Sequence, residues 1–143
     1  MFRTLRQQPR YVKRIMSEEI ETEFGIPFPG TIKPSTQWSK TALKTLPSGH
    51  IDWLALFGRR APIVIDIGCG NGRSMLASAV ARPDYDHLGI DVLPVVIRYA
   101  TRRGNQRGLA NTRWAVIGGK ELLEQNVAPG SIAEIHVYHP QPY

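Results

Sequence analysis

Residues 63 to 72 read Ile63-Val64-Ile65-Asp66-Ile67-Gly68-Cys69-Gly70-Asn71-Gly72, a short apolar run that empties into a glycine-rich turn and carries one acid. The run is rich in β-branched residues and is bounded by Pro62 and Gly68, which favours a strand buried on both faces over the start of a helix. Arg73 to Arg82 follow, with Met75, Leu76, Ala79 and Val80 at helical spacing and Pro83 as the stop. Strand, turn and helix in that order give the glycines a purpose. Gly68 and Gly70 can take backbone angles that a Cβ forbids, and Gly72 lets the helix begin hard against the strand, so a ligand can approach main-chain N–H groups. The alternative is a glycine-rich turn that holds nothing.

Spacing narrows the ligand. A dinucleotide fingerprint needs glycine at 68, 70 and 73, but position 73 is arginine, which counts against a nicotinamide-dependent dehydrogenase. The form Asp66-x-Gly68-x-Gly70-x-Gly72 resembles the one that S-adenosylmethionine-dependent methyltransferases carry.

A chain of 143 residues, 42% of them hydrophobic, is one domain's worth and can build a core without staples. Cys69 is the single cysteine and has no thiol or histidine at metal-ligand spacing, so no disulfide and no metal site is expected. It reads as a small residue that fits inside the turn. A reducing compartment fits, and cytoplasmic localisation is expected, since no apolar stretch approaches a membrane span and no signal-peptide core follows Met1. Lys and Arg exceed Asp and Glu by 18 to 12, and the charge of +6 makes an acidic partner plausible. Arg3, Arg6, Arg10, Lys13 and Arg14 form a basic arm with no acid among them. It can be read as a phosphate-contacting segment, a solvated tail or a presequence.

Residues 24 to 36 are broken by Gly25, Pro27, Pro29, Gly30 and Pro34 and read as an irregular connection. Gln37 to Leu46 and His50 to Phe57 suit short helices. Asp86 to Asp91 reads as a second strand, with Asp91 about where a doubly wound fold places its ribose-binding carboxylate; the alternative is an acid that caps the next helix. That helix is expected from Pro94 to Gly104, with Val95, Val96, Tyr99 and Ala100 on its apolar face, and Arg98, Arg102, Arg103 and Arg107 complementing its dipole. Asn111 to Ile117 makes a third strand, Gly118 and Gly119 a turn, Glu121 to Gln125 a short helix, and Ser131 to Tyr138 a fourth strand. His136 and His139 are too few for a metal.

With these segments placed, the sequence resembles the tRNA (guanine-N7)-methyltransferase family of the class I S-adenosylmethionine-dependent fold. Residues Ile51 to Pro62 look like that family's lead-in to its first strand, Leu88-Gly89-Ile90-Asp91 like its second strand, and His139-Pro140-Gln141-Pro142-Tyr143 like its F-P-D-P-W signature. The resemblance implies S-adenosylmethionine as cofactor and tRNA as partner. It places Asp66 and the turn of Gly68, Cys69, Gly70, Asn71 and Gly72 at the methionine end of the cofactor, and Asp91 with Val92 at the ribose. The family's acid after the third strand falls at Gly118, beside Gly119. Its signature aspartate falls at Gln141, the candidate catalytic position, and Tyr143 replaces its tryptophan.

The fold expected is α/β and Rossmann-like, a parallel sheet of order 3-2-1-4, incomplete after the fourth strand. Residues 1–60 are expected to form the basic arm and lead-in helices, and residues 61–143 the cofactor-binding half-domain. The function expected is methyl transfer to guanine N7 of tRNA, or the cofactor-binding part of that enzyme. The alternative is a cofactor- or RNA-binding module without turnover, motivated by Gln141 and Gly118. Oligomeric state is left open.

Overall fold

The computed structural model describes residues 20–138. A two-stranded antiparallel ribbon, β1 (Thr22–Glu23) and β2 (Ile26–Pro27), comes first. After it come a 3-10 turn (Ser35–Gln37) and helix α1 (Trp53–Phe57). Then β3 (Ile63–Ile67), α2 (Arg73–Ala81), β4 (Asp86–Asp91), α3 (Pro94–Gln106), β5 (Thr112–Val116), α4 (Gly119–Gln125) and β6 (Glu134–His136) alternate.

The four later strands form one parallel sheet, in the order β5-β4-β3-β6. Counted from the Ile63 strand as the first of that sheet, this is 3-2-1-4. The ribbon adds two strands ahead of it, the second of them inside residues 24 to 36, the stretch that the sequence reads as irregular.

Apolar side chains cover both faces of the sheet, as a parallel sheet requires. On one face Phe28, Met75, Leu76, Ile97, Ala100 and Trp114 pack together. On the other, Ile51, Ile63, Ile65, Leu88, Ile90 and Leu122 do so, with Trp53 and Phe57 of α1 against them.

Several expectations need correction. Residues 38 to 46 do not form a helix; they run along β5, where Leu43 N–H donates to Trp114 O at 2.8 Å and Trp114 N–H to Thr41 O at 3.1 Å. The strand edge offers partners that an isolated helix of that length would not gain. Helix α3 continues through Gly104 to Gln106, and the left-handed residue beyond it is Gly108 at φ 65°. Its buried face is Ile97, Ala100, Thr101 and Gly104, whereas Val95 and Tyr99 are exposed. The true stripe follows i, i+3, i+4 and i+7 from Ile97, one step away from the expected one. Helix α4 begins two residues before Glu121, at Gly119, and the fourth strand is confined to Glu134–His136.

Gly89 and Gly104 make room for Trp114. A Cβ on Gly89 would lie 2.6 Å from Met75 Sδ and 2.7 Å from the indole, and one on Gly104 would lie 3.0 Å from Trp114 Nε1. The tryptophan is fully buried in the slot they leave.

Candidate functional site

The candidate site lies at the carboxyl ends of β3, β4 and β5, where open α/β sheets take their ligands. The order β5-β4-β3-β6 places the switch of winding direction next to β3.

Asp66 is the penultimate residue of β3, flanked in register by Gly89 of β4 and His136 of β6. It is 3% exposed, and its Oδ2 has no hydrogen-bond partner among the described residues. Burial pushes its carboxyl up from 3.8 to about 6. An ionised carboxylate kept out of water with a free oxygen is costly unless something cationic or hydrogen-bonding arrives to meet it.

The turn above it takes the backbone that its glycines allow: Gly68, Gly70 and Gly72 have φ of 69°, 56° and 85°. A Cβ at Gly68 or Gly70 would meet nothing within 4 Å, so the space over those two residues is open. Gly72 serves packing instead. A Cβ there would lie 3.1 Å from Ala100 Cβ and 3.2 Å from the Trp114 ring, so this glycine seats the start of α2 against α3 and β5 rather than against its own strand.

Cys69 is buried in the turn and its N–H donates to Ile90 O at 2.9 Å. Burial first, then the charges of Asp66 and Asp91, push its thiol far up, so it stays protonated. Asn71 is committed to structure. Its Oδ1 accepts the Arg73 N–H at 3.1 Å at the start of α2, its Nδ2 lies 3.5 Å from Glu23 Oε2, and its carbonyl accepts from Arg103 Nη1 at 3.2 Å.

Asp91 closes the turn from the side of β4. Its Oδ2 accepts the Gly70 N–H at 3.3 Å and its Oδ1 accepts the Leu93 N–H at 3.0 Å. Asp91 does not cap α3, whose N-cap is Leu93 with no side-chain bond; it holds the N–H of that residue two positions on, and each of its oxygens retains acceptor capacity. Val92 beside it is 53% exposed. Across the strand ends, a Cβ on Gly118 would meet only Val92 Cγ1, at 3.8 Å, while one on Gly119 would lie 2.7 Å from Ile67 Cγ2. Gly118 thus leaves room beside Val92, and Gly119 lets α4 start hard against the end of β3.

The structure brings together Asp66, the turn, Asp91, Val92, Gly118 and Gly119. Gln141, Tyr143 and the basic arm lie outside the described residues.

Sequence reasoning missed the strap that holds this corner. Glu21 accepts from Arg103 Nε at 3.0 Å and from Arg107 Nη2 at 2.9 Å. Burial would raise its carboxyl, but the two arginine hydrogen bonds outweigh that and hold it below its ordinary value. Phe28, 2% exposed, has Arg73 and Arg103 at 4.1 and 4.2 Å from its ring centroid. No local pattern signals contacts that span so much of the chain. A cleft of about 500 Å3 sits at the opposite end of the sheet, near Lys33, Arg59, Pro83 and Asn111. There Arg59 is already paired with buried Asp86 at 2.6 Å.

No helix among the described residues is long and apolar enough to cross a membrane. Among the same residues, no group of three or more His, Cys, Asp or Glu could hold a metal.

A family model described as "Putative methyltransferase" matches residues 60–143. A tRNA (guanine-N(7)-)-methyltransferase of Methylococcus capsulatus is 37% identical over 115 residues, covering 76% of this chain and 50% of that protein. One of Halorhodospira halophila is 32% identical over 106 residues, covering 74% and 46%. The chain thus spans about half the length of the curated relatives it matches. A solved structure entitled "Structure of an antibiotic related Methyltransferase" superposes with a TM-score of 0.51 at 18% identity, over 69% of this chain and 50% of that one, a likeness of fold alone. On the match over residues 60–143, more than half of its length, the chain belongs to the methyltransferase family that this model describes.

Proposed function

We propose that the chain binds S-adenosylmethionine at the ends of β3, β4 and β5 and, in the whole protein, serves methyl transfer to N7 of a guanine in tRNA. The observation that carries this reading is Asp66, a buried carboxylate whose Oδ2 has no partner, set beneath two glycines with open space above them. S-adenosylmethionine supplies a methyl group on a cationic sulfur, which guanine N7 can accept through an in-plane lone pair that needs no general base.

The residues present fit that cofactor. Asp66 offers negative charge and one unused acceptor to an ammonium group. Gly68 and Gly70 leave the backbone open to close approach. Asp91 keeps acceptor capacity on both oxygens for a pair of hydroxyls, and exposed Val92 beside Gly118 offers an apolar ledge for a flat ring. The protonated Cys69 thiol is no competing nucleophile beside an electrophilic methyl group. Gln141, at the place of the family's aspartate, would align the guanine; an amide can hydrogen-bond there but cannot offset positive charge as a carboxylate does. Residues 61–143 are the cofactor-binding unit in this reading and residues 1–60 its lead-in. Cytoplasmic location is part of this reading, which follows from the proposed tRNA substrate.

The second reading, binding without turnover, is favoured by Gly118, which has no side chain where the family places an acid. Calorimetric titration with S-adenosylmethionine tests the first step. Saturable binding that disappears in Asp66→Asn supports the site, and equal affinity in both proteins sinks it. Single-turnover methylation of unmodified tRNA then separates enzyme from binding module.

A further inference from the structure

A second site lies on the outer side of α3, away from the glycine turn. A cleft of about 430 Å3 is lined by Trp38, Ile97, Arg98, Thr101, Arg102 and Asn105, among others, and its surface is almost wholly apolar. Thr101 is 7% exposed, and its Oγ1 has no hydrogen-bond partner among the described residues. Thr101 lines the cleft but its hydroxyl is shut off from solvent in this rotamer, so it meets a ligand there by turning about χ1, where helical threonine has a second rotamer. Trp38, at the mouth, is 44% exposed. Its indole N–H is held by Lys33 O at 2.8 Å, which ties down one edge of the ring.

Charge selects the occupant. Residues 31–48 and 94–106, the two stretches that build this face, carry Lys33, Lys40, Lys44, Arg98, Arg102 and Arg103 and no aspartate or glutamate. Arg103 is engaged by Glu21, but Arg98 and Arg102 are exposed and have no ion-pair partner among the described residues. They stand one helical turn apart at the rim of the cleft. An apolar slot with an aromatic wall, one buried hydroxyl and two free guanidinium groups matches an unpaired nucleobase with its flanking phosphates. A lipid surface would use the charge but not the buried hydroxyl.

We infer that this cleft takes an unstacked base of single-stranded RNA, with Trp38 as the stacking wall, Thr101 Oγ1 on the base edge, and Arg98 and Arg102 on the phosphates. The inference rests on the proposed reading for its RNA substrate but uses none of the cofactor residues.

The test is a filter-binding series on the 143-residue chain with a tRNA transcript, a single-stranded oligonucleotide and a fully paired RNA duplex, alongside calorimetry with S-adenosylmethionine. Trp38→Ala should weaken single-strand and tRNA binding about fivefold or more, and duplex binding less. Arg98→Gln with Arg102→Gln should weaken all three and flatten log affinity against log salt by roughly two phosphate contacts. Thr101→Val, which keeps shape, should lose affinity without changing the salt slope. Cofactor affinity should be unchanged in every variant. The exposed arginine pair carries little risk to folding, so the test survives if Trp38→Ala misfolds. RNA affinity within twofold of the parent in both the arginine pair and Thr101→Val, with cofactor binding intact, overturns the cleft and leaves the proposed function standing. Variant-dependent RNA binding by a chain that binds no cofactor would do the reverse. Tighter retention of anionic phospholipid vesicles or of heparin than of RNA, lost in the arginine pair, would assign the face to another polyanion and also overturn the inference.

Discussion

The backbone N–H of Gly70 points at Oδ2 of Asp91 across 3.3 Å, so the tip of the first turn is fastened to the acid that ends the next strand. This contact joins the two halves of the candidate cofactor site. Asp91→Ala should weaken S-adenosylmethionine binding by ~2–4 kcal/mol, roughly thirty- to several-hundred-fold, through lost hydroxyl contacts and a loosened turn. Unchanged affinity by calorimetry would place the ribose elsewhere.

Gly70→Ala separates backbone strain from ligand clash. At φ 56° a Cβ costs about 1–2 kcal/mol, yet it would meet no protein atom within 4 Å. The fall in cofactor affinity should therefore exceed the fall in stability seen in urea. Equal losses would mean that the ligand does not approach the turn.

Asp66→Asn should stabilise the free protein while abolishing cofactor binding. The folded-state carboxyl titrates near 6 and the ordinary value is 3.8, so the folded protein binds more protons between those values and gains stability as pH falls through them. At pH 7 the ionised group costs about 2–3 kcal/mol, which the amide relieves. Urea unfolding at pH 7 should show that gain, and below pH 4 it should vanish.

His87 works in the opposite direction. It is fully buried, with Nε2 2.9 Å from Ser78 Oγ, and burial drives it from 6.5 down to about 4. The unfolded chain binds more protons between those values, so stability present above 6.5 is lost on acidification, about 3 kcal/mol in all. Since Asp66 gains where His87 loses, the parent protein should be nearly flat between pH 6 and 4. In Asp66→Asn the histidine loss should appear unopposed, and a flat profile in that variant would contradict the assignment.

Gly89→Ala should destabilise the chain by about 1–3 kcal/mol, since its Cβ would collide with Met75 and Trp114 in the core. A smaller residue at 114 should relieve part of that penalty, and a double-mutant cycle with Trp114→Leu measures it. Strict additivity would show that the indole is not the obstacle.

The parts legible in sequence are those whose cause is local. Asp66 and its glycines announce a strand, a turn and a helix within a few residues, and β3, β4 and β5 each carry buried apolar residues of their own. The failures share a different cause. The segment around Ala42 has helical composition but was claimed by the edge of β5, a partner some seventy residues away in sequence. The stripe on α3 was misplaced because Val95 and Tyr99 are apolar yet exposed, and Gly104, read as a stop, is the floor of the Trp114 slot. Glu21 meets Arg103 and Arg107, and Trp38 comes to line one cleft with Thr101, only after the chain has closed.

The bridge between Ala42 and Trp114 also guards one edge of the sheet. It occupies the backbone groups at the centre of the β5 edge, whereas among the described residues β6 pairs on one side only. A strand edge whose central groups are already bonded offers no free ladder there to a neighbouring molecule, so the segment around Ala42 blunts the β5 side of the sheet against edge-to-edge association.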